Sequence, residues 1–123
     1  MTFVDANVLL EIILKRLRAE TCKLFLSNNE DKAISTVTLD LIMYFVERDK
    51  LDWKPIKTFI ENFIWLPIVD GDAQWAFAQF DGKDFEDALQ VACAIREGCN
   101  KFVTLDAQLS KKYSKNMTIK LLR

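Results

Sequence analysis

The sequence predicts an α/β fold, a three-layer α/β/α sandwich around a mostly parallel central sheet. Short apolar runs alternate with helical patterns along the whole chain. Half of the 123 residues are apolar, enough to build a core on both faces of a small sheet. Strands separated by helices need crossover connections, which are right-handed and lay the helices over a parallel sheet.

The elements follow in order. Thr2 to Val4 is a β-prone run ending on Asp5, and Asn7 opens a helix with Leu9, Ile12 and Ile13 on one face. Leu17 to Ser27 carries a second helical pattern, with Cys22, Phe25 and Leu26 on one stripe, broken by Asn28-Asn29. Lys32 to Ser35 is a second strand, and Thr36 to Asp49 a third helix capped near Ser35 or Thr36. Pro55 suits the first turn of a fourth helix running to Asn62. Phe63 to Val69 is a third strand, which Pro67 places towards a sheet edge. Asp70-Gly71-Asp72 reads as turn and cap before a helix from Ala73 to Phe80. Asp84 caps a helix from Phe85 to Glu97, stopped by Gly98. Phe102 to Leu105 is the fourth strand, Gln108 to Tyr113 a helical turn, and Thr118 to Leu122 the last strand.

Composition removes several chemistries. There is no histidine, which excludes Ser-His-Asp and Cys-His catalysis and His-ligated zinc. Cys22, Cys93 and Cys99 are dispersed and odd in number, against a disulfide framework or thiolate metal site. Three glycines leave no glycine-rich phosphate loop. A net charge of −1 excludes a uniformly basic nucleic-acid coat. No run approaches a membrane span, and no targeting segment is visible, so the expected location is cytoplasmic.

Ligands of parallel α/β sheets sit beyond the carboxyl ends of the strands. Asp5 and Asp106 follow strands there, and Asp84 and Asp87 open a helix whose loop starts at the same edge. Each has an ordinary alternative: a strand-end aspartate also serves as turn or helix cap, and first-turn acids suit a helix dipole. Together they would repel by several kcal/mol. A divalent cation reverses that sign, and oxygen-only donors select Mg²⁺ or Mn²⁺. Such a cation acidifies its water and braces the charge developing on a phosphate.

These residues carry a family resemblance. FVDANVLLE (Phe3 to Glu11), IS-x-x-TL (Ile34 to Leu39) and KDFEDALQVACAIREGCNKFVTLD (Lys83 to Asp106) occur in order. In that arrangement the chain resembles PIN domains, metal-dependent ribonucleases, many of them VapC-type toxins of toxin–antitoxin pairs. The resemblance implies one PIN-like domain over residues 1–123. It implies Asp5, Asp87 and Asp106 as metal ligands, Asp84 as an extra catalytic acid of the DFEDA subgroup, and Asn7 and Thr104 as supporting hydrogen-bonders. It also implies an RNA substrate, a small antitoxin partner and a homodimer. One position departs: many members carry a Glu on the third helix where this chain has Leu41. Asp40 is one residue away, a rotation of about 100°. Some relatives of the DFEDA type are similar in lacking that Glu.

Charge is uneven. Residues 101–123 carry Lys101, Lys111, Lys112, Lys115, Lys120 and Arg123 against Asp106 alone, a net of +5 in a chain of −1. Such an end either attracts phosphates, with Lys111, Lys112 and Lys115 as RNA contacts, or keeps an edge strand soluble. Tyr113 reads as a packing residue, with base stacking as the alternative. Leu41 to Val46 reads as a deeply buried helix or else a partner surface. Trp53, Trp65 and Trp75 are expected in the core, with an interface as the alternative, and Cys22 and Cys93 in the core. The leading expectation is an endoribonuclease. The alternatives are a catalytically weak RNA- or protein-binding module, and a receiver-type signalling domain. The last needs an aspartate after a mid-chain strand, where Lys32 to Ser35 is followed by Thr36.

Overall fold

The computed structural model describes residues 1–123. The elements in chain order are β1 (Thr2–Val4), α1 (Ala6–Ile13), α2 (Ala19–Leu26), β2 (Lys32–Ser35), α3 (Thr36–Arg48), α4 (Trp53–Ile60), β3 (Ile64–Leu66), α5 (Asp70–Gln79), α6 (Phe85–Arg96), β4 (Lys101–Thr104), α7 (Ala107–Tyr113) and β5 (Ile119–Leu121). The strands form one sheet in the order β3-β2-β1-β4-β5, parallel throughout. The three-layer expectation holds.

Strand alternation divides the core in two. Val4, Ile34 and Val103 face one side with Val8, Leu9, Cys22 and Ile42, under α1 to α4. Phe3, Ala33 and Phe102 face the other with Val91, Cys93 and Leu109, under α5 to α7. Phe3 and Phe102 stack with ring centroids 5.1 Å apart across the β1–β4 pair. All three cysteines are buried and free. No helix is long and apolar enough to cross a membrane.

Register sets the functional edge. Val4 lies opposite Val103, so β1 and β4 end within one residue of each other. The chain builds β1, β2 and β3 to one side, then returns to add β4 and β5 on the other. The order therefore reverses between β1 and β4, where parallel sheets open a crevice.

Several expectations are corrected. α5 starts at Asp70, so Asp70-Gly71-Asp72 is its first turn rather than a turn before it. The Val69 N–H donates to Asp72 Oδ2 at 3.0 Å, and buried Asp72 pairs with Arg96 of α6 at 2.9 Å. Those bonds hold a helix start that its glycine alone would weaken. α2 begins at Ala19, leaving Leu17 in solvent. β3 stops at Leu66, because Pro67 has no N–H for the ladder, and it is an edge strand as expected. α3 is not deeply buried: it covers the core with Thr38, Ile42 and Val46 but exposes Met43 and Tyr44, the latter by 56%. Trp53 and Trp65 are also about half exposed, at 51% and 47%, while Trp75 packs on the second core beside Tyr113. A helix one residue deep over a sheet can bury only one stripe, whatever its composition.

Phe3 is fully buried at the centre of the sheet. Phe3→Ala is expected to cost about 3–5 kcal/mol. Urea unfolding should show it as a lower midpoint with an unchanged slope.

Candidate active site

Asp5 follows β1 directly and occupies the cap position of α1, yet its side chain makes no cap hydrogen bond. Its backbone N–H donates to the Val103 carbonyl at 2.9 Å, continuing the ladder. The carboxylate is thereby turned to the end of β4, where Thr104 Oγ1 donates to Asp5 Oδ2 at 2.8 Å. Thr104 Oγ1 also accepts from Asn7 Nδ2 at 3.1 Å and from the Asp106 N–H at 3.0 Å. A hydroxyl has one proton and two lone pairs, so all are used. Asn7 Oδ1 accepts from the Leu105 N–H at 3.2 Å. Asn7 and Thr104 thus join the ends of β1 and β4.

Asp106 does act as a cap, its Oδ1 accepting from the N–H groups of Gln108 and Leu109 at 2.9 and 3.2 Å. Asp84 does not. It stands at the cap position of α6 in a left-handed conformation (φ 60°) with no side-chain cap bond. Its side chain instead lines a pocket of about 140 Å³ with Asp87 and Asp106, walled by Leu109 and Tyr113 and flanked by Lys83 and Lys112. The structure therefore brings Asp84, Asp87 and Asp106 to one pocket, whereas Asp5 does not line it but lies near enough to Asp87 for that charge to act on it.

Burial is the main reason that Asp5, only 4% exposed, is pushed up to about 7. The Thr104 bond opposes that rise, and the charges of Asp87 and Glu86 add to it. Asp87 is also pushed up to about 7, by burial first, then by Glu86, Asp106 and Asp84, with Lys112 opposing. No ion pair reaches Asp5 or Asp87. The donors are hard oxygens carrying like charge, which suits a divalent cation of the Mg²⁺ or Mn²⁺ kind. No three of them close on one point as they stand. Carboxylates without a counter-charge hold one another apart.

Of the three lysines, Lys112 reaches the pocket and pairs with Asp81 at 3.2 Å. Lys111 and Lys115 are exposed, without ion pairs, and do not line it. Leu41 packs half-buried on the first core, Asp40 is exposed, and neither lines the pocket. Sequence reasoning missed Glu86 and Gln90. Gln90 is fully buried and donates Nε2–H to Thr38 Oγ1 at 2.7 Å and to Glu86 Oε1 at 3.3 Å. An amide on the apolar stripe of α6, one turn after Glu86, was the available signal.

The family model for the PIN domain matches residues 2–115. The chain belongs to the PIN domain family. Solved structures agree on the fold. A toxin–antitoxin complex from Klebsiella pneumoniae has a TM-score of 0.77 at 18% identity, covering 98% of this chain and 96% of that one. VapBC2 from Rickettsia felis, bound to a DNA fragment from its promoter, gives 0.72 at 15%, covering 99% and 98%. VapC20 from Mycobacterium tuberculosis, a sarcin–ricin loop cleaving toxin, gives 0.73 at 16%, covering 91% and 95%. No curated protein matches the PIN chain at the sequence level.

Asp5 binds its proton more tightly folded than unfolded, where its value is near 3.8. Its burial is therefore neutral below that pH, costs progressively more as pH rises to about 7, and is constant above. Metal-free Asp5→Asn should be more stable than wild type at pH 8, with the gap shrinking towards pH 5. Thermal unfolding in chelator measures this, and a gap independent of pH contradicts it. Added Mn²⁺ should raise the melting temperature of wild type at pH 8 and not that of Asp5→Asn.

Proposed function

We propose that this PIN protein is a metal-dependent endoribonuclease that hydrolyses RNA phosphodiester bonds, and the toxin of a toxin–antitoxin pair. The observation that carries the reading is Asp5, a buried carboxylate at the β1–β4 reversal with no cationic partner and with the charges of Asp87 and Glu86 acting on it. Asp5, Asp87 and Asp106 are the residues that would hold Mg²⁺ or Mn²⁺, with Asp84 assisting. When bound, the ion supplies Lewis acidity and an acidified water. The chain's own part is positioning. Thr104 and Asn7 fix the Asp5 carboxylate, and the Gln108 and Leu109 N–H groups fix one oxygen of Asp106, leaving its other oxygen to the pocket. Lys111 on α7 and Lys115 in the turn after it, both exposed, attract the phosphate backbone, and Lys112 brings positive charge to the pocket itself.

The partner reading follows from the fold relatives, several of which are toxin–antitoxin assemblies. An apolar groove of about 380 Å³ between α3, α4 and β3, lined by Leu39, Met43, Trp53 and Trp65, supports a protein partner, antitoxin or second copy. The second functional reading, an RNA- or protein-binding module that cuts weakly or not at all, is favoured by Leu41, an apolar residue packed on the first core where many family members carry a Glu.

A panel of structured RNAs incubated with Mg²⁺, Mn²⁺ or EDTA separates the two. Cleavage should need the cation and fall about a hundredfold or more in Asp5→Asn and Asp87→Asn. RNA bound but uncut by wild type in either cation supports the binding module. Lys111→Ala and Lys115→Ala should weaken RNA binding across sequences, each lowering the slope of log affinity against log salt by about 0.7 for single strands.

A further inference from the structure

A fully buried glutamine on an apolar helix stripe needs a reason. Its amide must be satisfied at every polar atom or it costs about 1–3 kcal/mol, whereas an apolar side chain would fill the same place freely. Gln90 is satisfied throughout. Its Oε1 accepts from Ser35 Oγ at the end of β2, and its Nε2 donates to Thr38 Oγ1 and to Glu86 Oε1. Ser35 and Thr38 are themselves fully buried, and Ser35 Oγ caps α3 by accepting from the Thr38 N–H at 3.2 Å. The two hydroxyls could each face either end of an amide, since each donates and accepts. Glu86 cannot: an ionised carboxylate only accepts, so it fixes the amine of Gln90 on its own side. The bridge therefore runs from the β2–α3 junction to one specific carboxylate.

That carboxylate is in the first turn of α6, beside Asp87. Among the like charges acting on Asp87 it is the strongest, ahead of Asp106 and Asp84, and it acts on Asp5 as well. Glu86 is half-buried and belongs to no ion pair. Meanwhile the position on α3 where a family acid is expected holds Leu41, packed on the core.

We propose that Glu86 supplies the carboxylate cluster with the acid missing at position 41 of α3, and that Gln90 positions it through the buried bridge to Ser35 and Thr38. The inference rests on the carboxylate–cation reading given above. It places the replacement acid on the same helix turn as Asp87 instead of on a separate element. The cluster then draws on β1, β4 and α6 alone, with α3 contributing the anchor rather than the ligand.

Calorimetric titration of Mn²⁺ into metal-free protein at pH 8 tests it, with Asp5→Asn as reference. Glu86→Gln should bind about tenfold more weakly than wild type. Its metal-free melting temperature should equal or exceed that of wild type, because a like charge has left the cluster. Gln90→Met should weaken binding comparably, but add nothing in the Glu86→Gln background, since it acts through Glu86. Thr38→Val loosens the same amide without emptying its place, and should show the same dependence on Glu86 if Gln90→Met does not fold. Mn²⁺ binding unchanged in Glu86→Gln but lost in Asp5→Asn overturns the assignment and leaves the parent reading standing. An equal loss from Gln90→Met and Thr38→Val on both backgrounds overturns the positioning role. Wild type that binds no Mn²⁺ overturns the parent reading and the assignment together.

Discussion

The register between β1 and β4 is the constraint on which the acidic edge depends. With Val4 opposite Val103, the Asp5 N–H closes the ladder on the Val103 carbonyl and the carboxylate meets Thr104. A slip of one residue would send Thr104 to the other face of the sheet, because side chains alternate with period two. It would also move Phe102 off Phe3, so the core enforces the same register as the site. The hydroxyl of Thr104 then does three things at once. It donates to Asp5, accepts from Asn7 and accepts from the backbone at Asp106. One side chain ties both strand ends and the starts of α1 and α7 into a single unit.

The edge built this way opposes the stability of the fold. Two carboxylates pushed up to about 7 by burial and by the acids around them are a cost at neutral pH, not a gain. The fold offsets it elsewhere, through two cores that cover both faces of the sheet and a buried ion pair between Asp72 and Arg96 that fastens α5 to α6. Locally unfavourable arrangements of this kind concentrate at functional sites and are carried by the rest of the structure. The Gln90 bridge extends the same logic. It spends buried polar groups to hold an acid near other acids, which no packing argument would select.

Much of this was legible in the sequence, for reasons tied to particular residues. β2 reads correctly as Lys32–Ser35 because its run is short, apolar and bounded by Asn28-Asn29 and a capping serine. The stop of α6 is legible in Gly98, which adopts φ 70°. Asp5, Asp87 and Asp106 could be placed at one edge because topology alone decides where parallel strands end. What was not legible depended on partners distant in sequence. Asp72 looks like a turn residue until Arg96, twenty-four positions on, makes it the anchor of a helix start. The Leu41–Val46 run looks buried on every side, yet which side meets the sheet is set by packing, and Met43 and Tyr44 lie on the wrong one. Glu86 hid behind Asp87, and Gln90 behind the apolar residues around it.

The distinction between ordinary helix caps and site acids is visible in which caps are made. A side-chain cap is worth about 1 kcal/mol, and all three aspartates at cap positions near this edge could have made one. Asp106 does, with a single oxygen. Asp5 and Asp84 do not, and Asp84 in addition adopts a left-handed backbone. Helix-dipole attraction, worth roughly 0.3–1 kcal/mol, accounts for an acid in the first turn of α6. It does not account for Asp84, Glu86 and Asp87 together, since each repels the others and both Asp84 and Glu86 push Asp87 up. Local helix chemistry therefore explains one acid and leaves the others to be explained by something that favours negative charge between the strand ends. The forgone caps at Asp5 and Asp84 are the structural mark of that demand, and they separate these two residues from Asp106, where the cap uses a single oxygen.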